Sequence, residues 1–310
     1  MNKTQNQREL NGSARDNLQF FALALPAIAL LFVFCYIPMA GIILAFKRFR
    51  VDLGIFGSEW VGFKNFTFFF TSSDAWRVVR NTLGINLLFI TFGTVFGVLL
   101  ALMMFKIRNR RAVKAYQTVA LMPSFLSWVV IGYMTYALLR PNGGLINQAL
   151  RAFGAEGINW YGKPEAWPLI LLLVNLWHGA GYSSLFYYAS LMGIDSEYFE
   201  AAQLDGASSV QQFWYIILPF LSPLITVMTI LNIGKIFRAD FGLFFSTTRD
   251  VGALYPTTDV IDTYVYRALI SLGDVGMSAA VSLFQSAVGF VLILATNLIV
   301  RRIEPDNALF

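Results

Sequence analysis

A near match to a phosphate-binding loop is the first part of the sequence that could do chemistry. Residues 157–164 read GINWYGKP, whereas the nucleotide-binding pattern is G-x-x-x-x-G-K followed by serine or threonine. Pro164 stands where the magnesium-binding hydroxyl belongs, and no buried strand precedes the segment. We therefore expect no nucleotide to bind here, and any energy from ATP must come from another chain.

Other reactive side chains are scarce. The chain has one histidine, His178, and one cysteine, Cys35, and its apolar stretches hold no cluster of carboxylates. A metal site or a Cys–His pair cannot be assembled from these residues. The sequence therefore predicts no catalytic residue, no metal site and no cofactor bound by this chain.

Polar and aromatic side chains are concentrated in the middle of the apolar stretch at 168–193. Sugars bind through aromatic stacking and through hydrogen bonds to their hydroxyls. An ionisable group deep in a membrane is a functional-site hypothesis, although a neutral histidine bonded to a neighbouring helix is the alternative. The candidates for a substrate pathway are Asn175, Trp177, His178, Tyr182 and Ser183. Lys235, farther along the chain, is expected to extend towards lipid headgroups.

Residues 194–217, called the elbow below, form a polar segment between two apolar stretches. Ser196 is expected to cap a short helix, and Asp205-Gly206 is a turn pair in which glycine can adopt a positive φ. Four acidic residues and no basic residue occur from Gly193 to Tyr215. Such a segment suits a basic cleft on a soluble partner, and a solvated connector is the alternative.

The composition places these features in a membrane. The chain has 310 residues, of which 57% are hydrophobic and 13% charged, against about 25% charged in soluble proteins. Spanning a bilayer takes about 20 apolar residues in a helix. Continuous apolar runs exclude a barrel of alternating strands and predict an all-α membrane protein with one domain at 17–310 after a cytoplasmic tail at 1–16. The six predicted spans are 20–46, 82–104, 116–139, 168–193, 218–237 and 279–300.

The orientation is predicted from basic residues near the spans. The short loop at 106–114 is dense in Lys and Arg and is expected to be cytoplasmic, as are Arg301 and Arg302 after the last span. Six spans then place both termini and the elbow in the cytoplasm. The total count of basic residues does not favour this orientation, because the loop at 47–81 is also basic. The basic residues behind the net charge of +5 flank the predicted spans, so this charge does not indicate that the chain binds nucleic acid.

The sequence EAAQLDGA at the elbow, followed by Leu218-Pro219 and Pro223, resembles the EAA loop of ABC-importer permeases. The resemblance implies a type I importer permease fold in which Ser196–Gln212 forms a cytoplasmic coupling helix that docks into an ATPase subunit. The ATPase-coupling residues it implies are Glu200, Ala201, Ala202, Asp205, Gly206 and Ala207.

Other segments resemble the carbohydrate branch of these importers, in particular LplB-type polysaccharide and oligosaccharide permeases. They include Tyr36–Met39, Gly143–Asn147, Trp177–Gly181, Asp259–Arg267 and Asn297–Arg302. The resemblance implies a bacterial plasma-membrane location and a second permease subunit. It also implies two ATPase subunits that bind ATP and Mg²⁺, and an extracellular or periplasmic sugar-binding protein. Trp160, Tyr161 and the acidic loop at 250–274 are expected to contact that binding protein.

Two other functions are consistent with a multispan protein. A secondary transporter or channel would work without an ATPase, but intramembrane carboxylates suited to a proton relay are sparse. An intramembrane enzyme would need converging carboxylates or histidines, and the sequence offers none. An ABC importer permease for a solute other than a sugar also remains open.

Overall fold

The computed structural model describes residues 3–303 and 305–308. The side chains it does not describe within these ranges are those of residues 3–16, 68–70, 73, 272, 303 and 306. The chain divides into two compact units: residues up to Phe68 with Asp274–Leu283, and Phe69–Gly273 with the residues from Phe284 onward.

The first unit begins with a long helix and continues into a small sheet. Its elements are α1 (Lys3–Leu31), a π-helix at Phe32–Tyr36, α2 (Ile37–Met39), a 3₁₀ helix at Ala40–Phe46, β1 (Lys47–Arg48), α3 (Gly54–Gly57), β2 (Glu59–Trp60) and α4 (Lys64–Thr71), of which the last three residues belong to the second unit. The strands are antiparallel, with Lys47 opposite Trp60. Of the predicted tail, residues 3–16 are helical as the first half of α1, and residues 1 and 2 lie outside the described residues.

The second unit is almost entirely helical. Its helices are α5 (Ser73–Phe105), α6 (Arg110–Leu121), α7 (Trp128–Leu139), α8 (Leu145–Ala152), α9 (Trp167–Leu191), α10 (Ser196–Leu204), α11 (Ser209–Gln212), α12 (Leu218–Ile233), α13 (Phe241–Thr248), α14 (Tyr255–Thr258), α15 (Ile261–Arg267) and α16 (Val275–Ile303), the last shared with the first unit. Short 3₁₀ helices occur at Met122–Phe125, Trp160–Gly162, Pro164–Ala166, Gly252–Leu254 and Pro305–Asn307, and π-helices at Phe213–Ile217 and Ala268–Leu272.

Five helical stretches of the described chain are long and apolar enough to cross a membrane, and each overlaps one of the predicted spans. They are Asn17–Phe46, Asp74–Phe105, Pro164–Leu191, Ser209–Ile233 and Val275–Arg302. The fifth predicted span therefore begins inside the elbow, because α11, the π-helix at Phe213–Ile217 and α12 follow one another without a loop.

The predicted third span at 116–139 is bent in the structure. The chain bends by 95° between Arg110–Phe125 and Trp128–Leu139, so six spans result only if these two arms are counted as one. Leu126 and Ser127 are extended, with ψ of 138° and 149°, and the Ser127 hydroxyl accepts a hydrogen bond from the Val130 amide to begin a new helix. The bend lies at these two extended residues.

Two hydrophobic clusters formed by described residues pack the helices of the second unit together. One joins α5 through Ile85, α9 through Trp167 and Leu171, and α13 through Leu243 and Phe244. The other lies nearer the elbow and joins three long helices through Val98 and Ala101 of α5, Tyr187 and Leu191 of α9, and Leu221 of α12. The space between these clusters is where the candidate site forms.

Candidate functional site

A cavity of about 300 Å³ lies between α5, α9 and α12. Its walls are mostly apolar, with a few amide and hydroxyl groups, which is the composition expected of a small-molecule site. The lining residues are Phe89, Ile90, Gly93, Thr94, Asn175, Leu176, Gly179, Ala180, Tyr182, Ser183, Phe186, Tyr187, Met228 and Asn232. The cavity is therefore walled by three long apolar helices.

The side chains on one face of α5 explain why a cavity remains between the three helices. Ile90, Gly93 and Gly97 follow at helical spacing and carry small or apolar side chains. A Cβ placed on Gly97 would lie 3.1 Å from Tyr187 Cε2, so Gly97 allows α5 and α9 to approach closely. A Cβ on Gly93 would meet no atom within 4 Å, because Gly93 faces the cavity.

Three of the five predicted pathway residues are brought together. Asn175, Tyr182 and Ser183 all line the cavity. The Ser183 hydroxyl donates a hydrogen bond to the Gly179 carbonyl at 3.3 Å, which leaves its oxygen able to accept one. Tyr182 is exposed and packs edge-on against Phe186, another lining residue.

The other two predicted residues are placed elsewhere. Trp177 is not among the residues that line the cavity. The ring centroids of His178 and Trp128 are 4.1 Å apart, and Trp128 Nε1 donates a hydrogen bond to Asp240 Oδ2 at 2.8 Å. His178 thus packs on α7 and does not face the cavity, which matches the alternative in which it serves a neighbouring helix.

Two polar lining residues were not predicted as pathway residues from the sequence. Thr94 comes from α5 and Asn232 from the end of α12. Asn86, one turn before Ile90, marks the same face of α5 and donates hydrogen bonds to the Ile236 and Arg238 carbonyls at 2.8 and 2.9 Å. Polar residues at helical spacing inside apolar stretches are the signal that could have identified them.

The elbow consists of two short helices and not one continuous helix. Asp195, and not Ser196 as predicted, caps α10 by accepting a hydrogen bond from the Glu197 amide at 3.1 Å. Ser208 and Gln211 form a reciprocal capping box at the start of α11. Gly206 separates the two helices with a φ of +76°, which confirms the predicted turn.

The elbow presents an acidic and partly apolar surface. Glu200, Ala201, Asp205 and Gly206 are exposed, and Ala202 and Ala207 are half-buried. Leu204, at the end of α10, is 90% exposed. An apolar side chain so exposed between carboxylates suits a contact with another protein.

The elbow is also fixed to the helices that wall the cavity. α9 leads into α10 through four residues, and α11 continues through the π-helix into α12. Phe199 of α10 packs on Phe105 of α5 with ring centroids 5.7 Å apart. Displacement of the elbow would therefore act on three cavity-lining helices.

The expected binding-protein contacts are wrong for Tyr161 and Asp259. Tyr161 is 9% exposed, its hydroxyl donates to the Thr247 carbonyl, and burial raises its pKa to about 12. The Asp259 side chain is fully buried and forms ion pairs with Arg77 and Arg267. Burial also raises the pKa of Asp262 above its ordinary value, although the Ala239 amide and Gln285 lower it by donating hydrogen bonds. These carboxyl groups therefore bind partners within the chain and fix the loop at 250–274 in place.

Comparison with known proteins gives a consistent answer. Residues 93–305 match the family described as "Binding-protein-dependent transport system inner membrane component". The polygalacturonan/rhamnogalacturonan transport system permease protein YteP of Bacillus subtilis (strain 168) is 35% identical over 291 residues, which cover 93% of this chain and 89% of the relative. Protein LplB of the same organism is 31% identical over 287 residues, which cover 93% and 90%.

Solved structures agree with the sequence relatives. A chain in the crystal structure of a bacterial ABC transporter involved in the import of the acidic polysaccharide alginate superposes with a TM-score of 0.85 and 31% identity, covering 96% of this chain and 99% of the other. A chain of a bacterial alginate ABC transporter in complex with alginate pentasaccharide-bound periplasmic protein gives a TM-score of 0.84, 30% identity, and coverage of 94% and 97%.

Proposed function

The chain belongs to the family of binding-protein-dependent transport system inner membrane components, and on that premise we propose how its parts divide the work of import. It is a multispan permease subunit of an ABC importer for an oligosaccharide or polysaccharide fragment, and it works with a second permease and a soluble binding protein. One observation carries the proposed division of labour: both helices that flank the elbow also wall the cavity.

The elbow is the site at which an ATPase subunit acts. The residues that make the contact are Glu200, Ala201, Ala202, Asp205, Gly206 and Ala207. Its carboxylates favour a basic cleft, and exposed Leu204 supplies an apolar anchor. ATP and Mg²⁺ are bound and hydrolysed by two partner ATPase subunits, whose closure moves the elbow and with it α9 and α12.

The cavity is the part of the pathway that this chain contributes. Asn175, Tyr182 and Ser183 offer amide, phenol and hydroxyl groups for sugar hydroxyls, and Phe89 and Phe186 offer apolar faces. The transported molecule is an acidic oligosaccharide, by analogy with the substrates named for YteP and for the alginate transporter. Both termini and the elbow face the cytoplasm, as the basic loop at 106–114 favours.

Co-purification tests the ATP-driven mechanism against a secondary transporter. We expect an affinity-tagged form of this chain to bring down a second permease and an ATPase subunit from the native membrane. We also expect ATP, and not an ion gradient, to drive uptake by the reconstituted complex. Uptake by the purified chain alone, driven by a proton or sodium gradient, would contradict the proposal.

Filling the cavity is expected to block transport without disturbing assembly. A phenylalanine at Gly93 would project into open space, because a Cβ there meets no atom within 4 Å. We expect Gly93→Phe to lower ATP-driven uptake of oligogalacturonide in proteoliposomes by at least about tenfold, since a substrate excluded from its site loses binding energy of 1.4 kcal/mol or more.

The matched control is Gly84→Phe in the same helix. A Cβ on Gly84 also meets no atom within 4 Å, but Gly84 does not line the cavity. This variant should transport at close to the wild-type rate. Equal rates for the Gly93 and Gly84 variants, with both complexes intact, would show that the cavity is not on the pathway.

A further inference from the structure

A second and smaller cavity, of about 210 Å³, adjoins the first. The two cavities share four lining residues: Phe89, Ile90, Asn175 and Asn232. The other residues that line the smaller cavity are Asn86, Lys235, Ile236 and Arg238. A molecule that enters between these walls therefore meets two cationic side chains next to the amide-lined part of the pathway.

None of the described residues that line either cavity is an Asp or a Glu. The polar groups of the smaller cavity are three asparagine amides and two cations, and an asparagine amide can both donate and accept hydrogen bonds. The electrostatic character of this end of the pathway is therefore positive. A carboxylate could bind there through charge-assisted hydrogen bonds, which are stronger than neutral ones.

The charge of Arg238 is partly used within the chain. Its Nη2 donates a hydrogen bond to Ser286 Oγ at 2.7 Å. It also acts on Asp262, whose pKa burial raises and the Arg238 charge lowers. Asp262 in turn accepts a hydrogen bond from the Ala239 amide at 2.7 Å. Arg238 is thus positioned by its own chain and its charge is shared with a neighbouring carboxyl group.

The charge of Lys235 is not shared in this way. Its side chain is exposed, and among the described residues it forms no salt bridge and its ammonium group donates no hydrogen bond. It lies two residues beyond the end of α12, beside Asn232. Lysine near a membrane without a counter-ion needs either headgroups or a ligand. The sequence predicts that Lys235 extends towards lipid headgroups. In the structure it instead lines a cavity together with Asn175.

We propose that Lys235 is a specificity-determining residue that binds a carboxylate of an anionic oligosaccharide on its way into the larger cavity. The inference rests on the proposed function and adds that the permease itself recognises the acid group. Asn175 and Asn232 contact the neighbouring sugar hydroxyls, and Arg238 contributes positive potential from a fixed position. The competing partner for Lys235 is a carboxylate of the second permease, which the experiment separates.

The experiment measures direct binding to the assembled transporter in detergent, without the binding protein, so that the binding protein's own selectivity does not enter. The two test molecules are tetragalacturonate and its full methyl ester, which differ in charge. We expect Lys235→Gln to weaken tetragalacturonate binding by about tenfold, because the variant loses a charge-assisted hydrogen bond to the carboxylate. Binding of the methyl ester should not change.

Two further variants control for folding and for charge in general. Lys235→Arg keeps the charge and should bind tetragalacturonate within about threefold of wild type, as a loss well below the 1.4 kcal/mol of a tenfold change. Lys163→Gln removes another exposed lysine that lines neither cavity and should have no effect.

Each outcome decides between the alternatives. Unchanged tetragalacturonate binding in Lys235→Gln overturns the role of Lys235 alone. Equal losses for the acid and the ester also overturn it, and assign Lys235 to a structural pair with the second permease. Wild-type transporter that binds neither galacturonide overturns both this inference and the proposed acidic substrate. The ATPase co-purification result is independent of all three.

Discussion

Replacing Gly206 with valine is expected to uncouple ATP hydrolysis from the loaded binding protein while the complex still assembles. Gly206 has a φ of +76°, and the turn it forms is closed by a hydrogen bond from the Ala207 amide to the Ala202 carbonyl at 2.8 Å. A residue with a Cβ is disfavoured in this conformation by about 1–2 kcal/mol, and a β-branched residue by more. The valine variant relieves this strain by opening the turn, which changes the angle between α10 and α11.

The effect should be confined to the elbow. A Cβ on Gly206 meets no atom within 4 Å, so the substitution displaces no neighbouring side chain. We expect the ATPase activity stimulated by loaded binding protein to fall by about tenfold or more, because a misdirected elbow loses at least 1.4 kcal/mol of contact with its partner. The measurement compares this activity with the amount of ATPase subunit that stays bound.

Two controls separate backbone strain from other causes. Gly154→Val introduces the same strain at another open position, with a φ of +80° and no atom within 4 Å, and should leave coupling intact. Gly206→Asn places at the turn a residue that tolerates positive φ and should retain most of the activity. Full coupling in Gly206→Val, with the complex intact, would contradict the role proposed for the elbow.

The elbow could be predicted from sequence because its signals are local. The turn at Gly206 and the polar composition between two apolar stretches involve neighbouring residues only. The assignment of Ser196 as the cap was wrong by one residue, because Asp195 is an equally good acceptor. The continuity of α11 with α12 was also missed, since a polar segment gives no sign that its last residues already belong to a span.

The cavity could be predicted only in part because its membership depends on helix rotation. Asn175 and Ser183 line it, whereas on the same stretch of α9 His178 packs on Trp128 and Trp177 does not line it. A list of polar residues in one span cannot distinguish these faces without the positions of α5 and α12. The bend in the third span was missed for a different reason: the high mean hydropathy of the stretch hid the local capping signal of Ser127.

Asp259 is another residue whose contacts could not be predicted from the sequence. It is one of several aspartates in an acidic loop that the sequence assigned to the surface. Its partner Arg77 lies 182 residues away in α5, a pairing that no local pattern reveals. Asp259 Oδ2 accepts a hydrogen bond from Arg77 Nη2 at 2.9 Å, while Oδ1 accepts from Arg267 and from the Thr263 hydroxyl. The carboxylate thus ties α15 to the start of α5.

Replacing Asp259 with asparagine is therefore expected to destabilise the permease strongly. The Asp259 side chain is 0% exposed, and those of Arg77 and Arg267 are 31% and 21% exposed. Removing one partner of a buried ion pair costs about 3–5 kcal/mol, because the other charge is left buried without compensation. Asp74 and Asp250 still pair with the two arginines, so we expect the free energy of unfolding to fall by an amount near the lower end of this range.

The measurement is thermal unfolding of the purified complex, with limited proteolysis of the segment at 250–267 as a second readout. A loss of about 3 kcal/mol should lower the apparent melting temperature by roughly 5–10 °C. The control, Asp52→Asn, breaks the ion pair between Arg50 and Asp52, whose side chains are 61% and 59% exposed, and should cost less than about 1 kcal/mol. Similar melting temperatures for the two variants would mean that Asp259 does not hold the loop at 250–274 to α5. Early cleavage of residues 250–267 in Asp259→Asn alone would identify that loop as the part released first, since it loses its ion pair with Arg77 of α5.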